Sequence, residues 1–218
     1  MSTVNEIFRA HGTSAVSDAL DMLGRGDTGL PGVVRMSGTK AVAGPAYTLH
    51  YEPVESGQPA PAGEFIDDVP EGAVVLVANG GRGHCTVWGD LLAETALRRG
   101  VAGTVIDGAC RDIGAIRELG YPLWSLSTYM KSGKNRVRLV SVQQPVTVFG
   151  VRVEPGDLVV GDDAGCLVVP AGMAEPTARK VLQVARAEES IRADLAAGVP
   201  LREARRRSGY NTLGLARP

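Results

Sequence analysis

The sequence predicts an α/β fold, a single domain over residues 1–218 with a central parallel or mixed sheet. Three observations carry this. The middle of the chain alternates apolar strand-like runs with amphipathic stretches, the order that builds parallel sheets. After about residue 145 the pattern shortens to β-rich segments broken by turn residues. No clear linker and no repeat divides the chain, and 218 residues can bury a core without disulfide or metal staples.

Each element follows in order. "TSAVSDALDMLG" (residues 13–24) predicts a helix: Val16, Leu20 and Leu23 fall at helical spacing, a Ser or Thr can cap it, and Gly24 stops it. "VAGPAYTLHY" reads as a strand, and "SGQPAPAGEF" as a polar loop or the approach to a helix. "GAVVLVANGG" is a buried strand that opens into glycines. "GDLLAETALRRG" is a helix with Asp90 at its start, Arg98 and Arg99 in its last turn and Gly100 as its stop. "GTVIDG" is the next strand, "RDIGAIRELG" a short helix, and "YPLWSLS" another strand. "PVTVFGVRVEPGDLVVGDDAGCLVVP" predicts short antiparallel strands, with Asp162 and Asp163 as turn formers. A helix over about 175–197 closes the fold, followed by a basic tail from about residue 200.

The net charge of −1 gives no case for nucleic-acid binding. Three widely spaced cysteines, Cys85, Cys110 and Cys166, match no metal-ligand spacing and suit buried thiols in a reducing, cytoplasmic setting. No run approaches the ~18 apolar residues of a membrane span. The N-terminus lacks a signal-peptide core.

Candidate chemistry lies where strands end, the usual ligand position in open α/β sheets. Two such points are "NGGRGHCTVWGDLL" and "DGACRD", and twenty residues separate Asp90 from Arg111. One helix plus one strand of that length returns the chain to the same sheet edge. The helix start at Gly89, with the N–H groups of Leu91 and Leu92, suits an anion. Arg111 can grip a carboxylate through two parallel hydrogen bonds. Asp112 is a hard oxygen ligand of the kind Mg²⁺ takes, and Asp90 can handle protons. Each also has a purely structural reading. Asp112 suits an N-cap and Asp90 a first-turn acid. His84 and Trp88 are candidate pocket walls. Lys131 and Lys134 read as solvated loop charges, and Arg202 to Arg207 as an exposed helix face or an oligomer contact.

"WGDLLAETALRRGVAGTVIDGACRD" followed by "VEPGDLVVGDDAGCLVVP" resembles the RraA-like family. That family joins the regulator of ribonuclease activity A to class II 4-hydroxy-4-methyl-2-oxoglutarate and 4-carboxy-4-hydroxy-2-oxoadipate aldolases. The likeness begins at "TSAVSDAL" and covers nearly the whole chain. It implies a swivelling β/β/α sandwich in homotrimers or homohexamers, with the site at a subunit interface. It implies a divalent metal, Mg²⁺ or Mn²⁺, anchored by Asp112 largely through waters. Arg111 matches the arginine that binds the pyruvyl group. Gly89, Leu91 and Leu92 match the backbone that holds the substrate carboxylate, with Lys131 also placed at the substrate. Asp90 matches the acid that handles protons. Glu188 or Glu189 matches a glutamate reaching in from a neighbouring subunit. The implied activity is cleavage of a 4-hydroxy-2-oxo acid through a metal-bound pyruvate enolate, with oxaloacetate decarboxylation as a side reaction.

The chain departs from the family pattern at Ala115, where Arg-Asp is usually followed, after two residues, by an acid. Two other readings therefore stand beside the aldolase: a non-catalytic regulator of the same family, and a member recruited to another reaction on a 2-oxo or β-keto acid.

Overall fold

A computed structural model describes residues 3–55, 59–61 and 63–212. Part of the "SGQPAPAGEF" loop lies outside them. The chain opens with α1 (Val4–Asp21), which starts well before the expected helix because Thr3 caps it and Glu6 completes a capping box. Gly12, at φ 77° and ψ 176°, breaks α1 into two segments, so a helix does start at Thr13, as its own second half.

The sheet strands are β1 (Val34–Ser37), β2 (Val42–Pro53), β3 (Val74–Thr86), β4 (Gly103–Cys110), β5 (Leu123–Thr128), β6 (Val137–Val142), β9 (Leu158–Asp162) and β10 (Gly165–Val169). The order β1-β5-β4-β3-β2-β9-β10 makes the sheet, with β6 added on β2. β2, β3, β4 and β5 run parallel, as the strand–helix alternation predicts. The other pairings are antiparallel, so the sheet is mixed. β7 (Val146–Val148) and β8 (Val151–Val153) form a separate hairpin. The helices α2 (Asp90–Arg98), α3 (Ile113–Leu119), α4 (Ala174–Ala196) and α5 (Leu201–Ser208) complete the fold. The basic tail thus includes a helix, in which Glu203 pairs with Arg206 and Arg207.

β3 shows why the middle of the sheet is stable. Val74, Val75, Leu76 and Val77 are all fully buried, as both faces of a parallel strand must be. Val75 and Val77 face a core shared with α2 and α3, together with Ile106 and Trp88. Val74, Leu76 and Ala78 face the opposite core, together with Trp124 and the β7–β8 hairpin. Each such side chain contributes roughly 1.5–3 kcal/mol by leaving water. A third core joins β9 and β10 to α1 and α4 through Phe8, Val16, Leu20 and Val181. The three cysteines are free and buried. No helix among the described residues is long and apolar enough to cross a membrane.

Candidate active site

β3 and β4 are parallel neighbours, so their C-terminal ends share one edge. There the ladder is irregular: Ala78 pairs Asp107, Arg82 pairs Gly108, and Thr86 pairs Ala109, so β3 bulges twice. The first bulge turns on Gly80 and Gly81, at φ 60° and 69°, a conformation glycine adopts freely. Their N–H groups donate to the carboxylate of Asp107. Burial pushes the Asp107 carboxyl above its usual range, against those N–H groups and Arg82. Asp107 was not among the sequence candidates; its only sequence signal is a lone acid inside an apolar strand.

The second bulge brings β3 to Thr86. Its N–H and hydroxyl both donate to the Lys131 carbonyl, at 2.9 and 3.1 Å. Its own carbonyl accepts from Gly133 N–H at 2.7 Å. This staple fixes the loop after β5 against the site. Lys131 serves the staple through its backbone, and its side chain is exposed. Lys134 is the lysine that lines the neighbouring cavity.

The chain then runs through Trp88, whose carbonyl accepts from Arg111 N–H at 3.0 Å. Trp88 stacks on Tyr121 at 6.2 Å between ring centroids and tilts against Phe65. Gly89 is the N-cap of α2, and no side chain caps that helix. A Cβ at Gly89 would lie 2.8 Å from Asp112 Oδ2 and 3.2 Å from Arg111 Nε, so a larger residue would push this pair aside. Asp90 Oδ1 accepts from Leu91 N–H at 2.9 Å, which places its carboxylate at the positive end of α2.

Asp112 occupies the N-cap position of α3, as its structural reading expected, yet its side chain makes no capping bond. Its backbone is left-handed, at φ 57° and ψ 31°, a conformation that costs a non-glycine residue about 1 kcal/mol or more. The carboxylate turns instead to Arg111, with Nε to Oδ2 at 3.0 Å. Both side chains remain more than a third exposed. Arg111, Asp90, Leu91 and Leu92 share the wall of one cavity of about 260 Å³, with Asp112 beside it at Gly89. The sequence-predicted group is therefore brought together by a single chain, except for Lys131, which lies outside the cavity wall, and the two glutamates. Glu188 pairs with Arg192 at 2.7 Å, and Glu189 is exposed on the same helix, α4. Neither lines the cavity. His84 is exposed and outside it, whereas Trp88 forms part of its wall.

No three His, Cys, Asp or Glu side chains converge on a metal position among the described residues. Ala115, exposed on the first turn of α3, offers no oxygen. What remains is the half-exposed Asp112 carboxylate, with no backbone N–H on it, and the Asp90 carboxylate in the cavity wall, which accepts from Leu91 N–H. That donor set fits a Mg²⁺ ion that keeps most of its shell as water and substrate. It does not fit a closed, all-protein cage.

Asp162 contrasts with this group. Its carboxylate accepts from Thr13 N–H and Thr13 hydroxyl, both at 2.7 Å, and from Ala164 N–H at 2.8 Å. Burial alone would raise its pKa, but these bonds and Arg35 outweigh burial and hold it below the usual carboxylate range. It forms the expected turn and also caps the second segment of α1.

Comparison with known proteins agrees with this architecture. The family model RraA-like: Aldolase/RraA matches residues 13–168. The chain is 40% identical over 195 residues to protein DlpA of Legionella pneumophila, covering 88% of this chain but 32% of that protein. It thus spans about a third of DlpA. It is 33% identical over 186 residues to a "Putative 4-hydroxy-4-methyl-2-oxoglutarate aldolase" of Halalkalibacterium halodurans, covering 84% of this chain and 82% of that one. Among solved structures, an uncharacterized protein from Pseudomonas syringae pv. tomato superposes with a TM-score of 0.85 at 40% identity, covering 93% of this chain and 96% of that one. Streptomyces coelicolor RraAS2, a member of the RNase ES inhibitor RraA protein family, superposes with a TM-score of 0.81 at 29% identity, covering 87% and 96%. With the matched segment spanning both the Arg111–Asp112 loop and the β-rich region after it, the chain belongs to the RraA-like Aldolase/RraA family.

Proposed function

We propose that this protein is a divalent-metal-dependent aldolase that cleaves a 4-hydroxy-2-oxo acid and releases pyruvate, with oxaloacetate decarboxylation as a side activity. The observation that carries the reading is the Asp112 carboxylate. It is held at a helix N-cap in a strained backbone, unused for capping, 3.0 Å from a guanidinium at a cavity mouth. A cap would not need that geometry, whereas a metal anchor beside an anion-binding arginine would.

The roles follow from placement. Arg111 binds the 2-oxo acid head through charge-assisted hydrogen bonds, helped by the start of α2 at Gly89 and Leu92, and by Leu91 once Asp90 Oδ1 releases its N–H. Asp112 holds Mg²⁺ or Mn²⁺, in part through water. When bound, the ion supplies Lewis-acid polarisation of the 2-oxo group. Asp90 orders a water that takes the C4 hydroxyl proton. The C4–O bond becomes a carbonyl, the C3–C4 bond breaks, and its electron pair passes to C3 and the 2-oxo oxygen. A proton returned to C3 completes pyruvate. A second copy of the chain in a trimer or hexamer supplies Glu188 or Glu189 to the cavity mouth, since neither glutamate reaches it within one chain. A Schiff-base route would need a buried lysine, and Lys131 and Lys134 are both exposed.

The test is pyruvate release coupled to lactate dehydrogenase, using 4-hydroxy-2-oxo acids and oxaloacetate with Mg²⁺, Mn²⁺ or EDTA. Turnover requiring both the metal and Asp112 is expected. Absence of turnover across the panel, in folded and oligomeric protein, would shift the assignment to a binding role like that of the ribonuclease regulators.

A further inference from the structure

The cavity has two unlike ends. At its mouth stand Arg111 and the start of α2. Inside, the wall is made by Tyr51, Val87, Trp88 and Val137, all at most 8% exposed, with Leu92 half-buried beside them. The cations near this wall are directed elsewhere. Arg82 Nη1 donates to the carbonyls of Asn79 and Tyr51, at 2.7 and 3.3 Å. Arg136 Nη1 donates to the carbonyls of Ser132 and Lys134. Lys134 itself is exposed at the rim. A carboxylate pushed against this wall would lose its water and gain no buried counter-charge. An apolar group has no hydration to give up there. Among the described residues, the one buried polar atom without a partner in this wall, Trp88 Nε1, is a neutral donor that a carbonyl or hydroxyl oxygen of the substrate satisfies without a second charge.

Volume sets the size of that group. A cavity of roughly 150 Å³ is enough to take benzene. The 260 Å³ here holds a six-membered ring and leaves room for the 2-oxo acid head at Arg111. Two glycines of the lining are packed too closely for a side chain. A Cβ at Gly133 would lie 2.6 Å from the Thr86 carbonyl oxygen, and one at Gly63 would lie 3.2 Å from the Tyr51 hydroxyl.

We infer that the physiological substrate carries an apolar substituent at C4, an aryl or branched alkyl group, in place of a second carboxylate. The wall of Tyr51, Val87, Trp88, Leu92 and Val137 is its specificity surface. This rests on the aldolase reading above. The product released beside pyruvate is then an apolar aldehyde or ketone, so a reaction that consumes such carbonyl compounds must follow.

The experiment separates the two claims. Exchange of the pyruvate methyl protons with D₂O, followed by proton NMR with Mg²⁺, reports the chemistry at Arg111 and Asp112 without any C4 group. In parallel, kcat/KM is measured for 4-hydroxy-2-oxo-4-phenylbutanoate and 4-hydroxy-2-oxoadipate. The non-cleavable 2-oxo-4-phenylbutanoate and 2-oxoadipate are compared as inhibitors of the exchange. We expect the phenyl compounds to be favoured by about 100-fold, within the range an apolar pocket provides. Val137→Phe, which fills the wall, and the isosteric Val137→Thr, which makes it polar, should each cut that ratio by about 10-fold or more. Pyruvate exchange together with dicarboxylates that are cleaved and bound equally well or better overturns the inference and leaves the aldolase reading intact, most clearly if Lys134→Ala abolishes their preference. No exchange overturns both.

Discussion

Asp112 and Asp162 are both aspartates that follow or end a strand and stand at the start of a helical segment, and they do opposite things. Asp162 spends its oxygens on three donors, two from Thr13 and one from Ala164. Asp112 accepts no capping N–H and leans only on Arg111. Both are aspartates where a strand ends, Asp112 leading into α3 and Asp162 into the β9–β10 turn, and residue type alone does not separate a structural acid from a reactive one. The number of backbone N–H groups aimed at the carboxylate does. A satisfied carboxylate is a poor metal ligand, because each N–H must first be displaced and left buried. An unsatisfied, half-exposed one is available.

The largest expected effect tests the reactive side. Asp112→Ala should lower metal-dependent pyruvate release on the order of 10³-fold. It should move the melting temperature by less than about 2 °C, because no capping bond is lost. A large loss of stability with retained turnover would reverse the contrast. Gly89→Ala is next: its Cβ would wedge between Arg111 and Asp112, and a displacement of that kind should cost about 10- to 100-fold in kcat/KM.

On the structural side, Asp162→Ala removes a cap and leaves the Thr13 hydroxyl unpaired. We expect about 2–3 kcal/mol of lost stability, a fall of about 5–10 °C in Tm by calorimetry, with catalysis little changed. Ala115→Asp places a second carboxylate one turn into α3 from Asp112. Titration with Mn²⁺ should show about 10-fold tighter binding, and no change would remove Ala115 as a determinant of metal affinity. The smallest effect is on pH dependence. The native Asp162 carboxyl sits below its unfolded value of about 3.9, so it contributes stability above that pH and loses it as pH falls through the native value. Wild type should therefore destabilise more steeply below about pH 4 than Asp162→Asn.

Much of this is legible in the sequence. The β3–α2–β4–α3–β5 stretch declares itself because buried parallel strands read as apolar runs and helices between them as periodic ones. The spacing from Asp90 to Arg111 then places both at one edge. The edge strands were not legible. "VRMS" is four residues long, and in "VRLVSV" Arg138 alternates with partly exposed positions, so neither forms an apolar run. The first half of α1 was hidden because Gly12 reads as a stop, and its reconnection depends on Asp162 from the far end of the chain. Asp107 was missed for a similar reason: its partners, Gly80 and Gly81, meet it only through strand pairing. Lys134 lines the cavity and Lys131 does not, because Thr86 sets the register of their loop, a long-range bond that no local pattern encodes.

That bond also bears on how a ligand comes and goes. Thr86 joins Lys131 and Gly133 through three hydrogen bonds at a nearly inaccessible position, 4% exposed. To swing outward, the cavity rim at Ser132 to Lys134 would have to break all three at once. It therefore behaves as a fixed doorframe. Ligand residence time should follow from the contacts made inside and not from the breathing of a gate, and the amide protons of Thr86 and Gly133 should be among the slowest in the molecule to exchange with solvent.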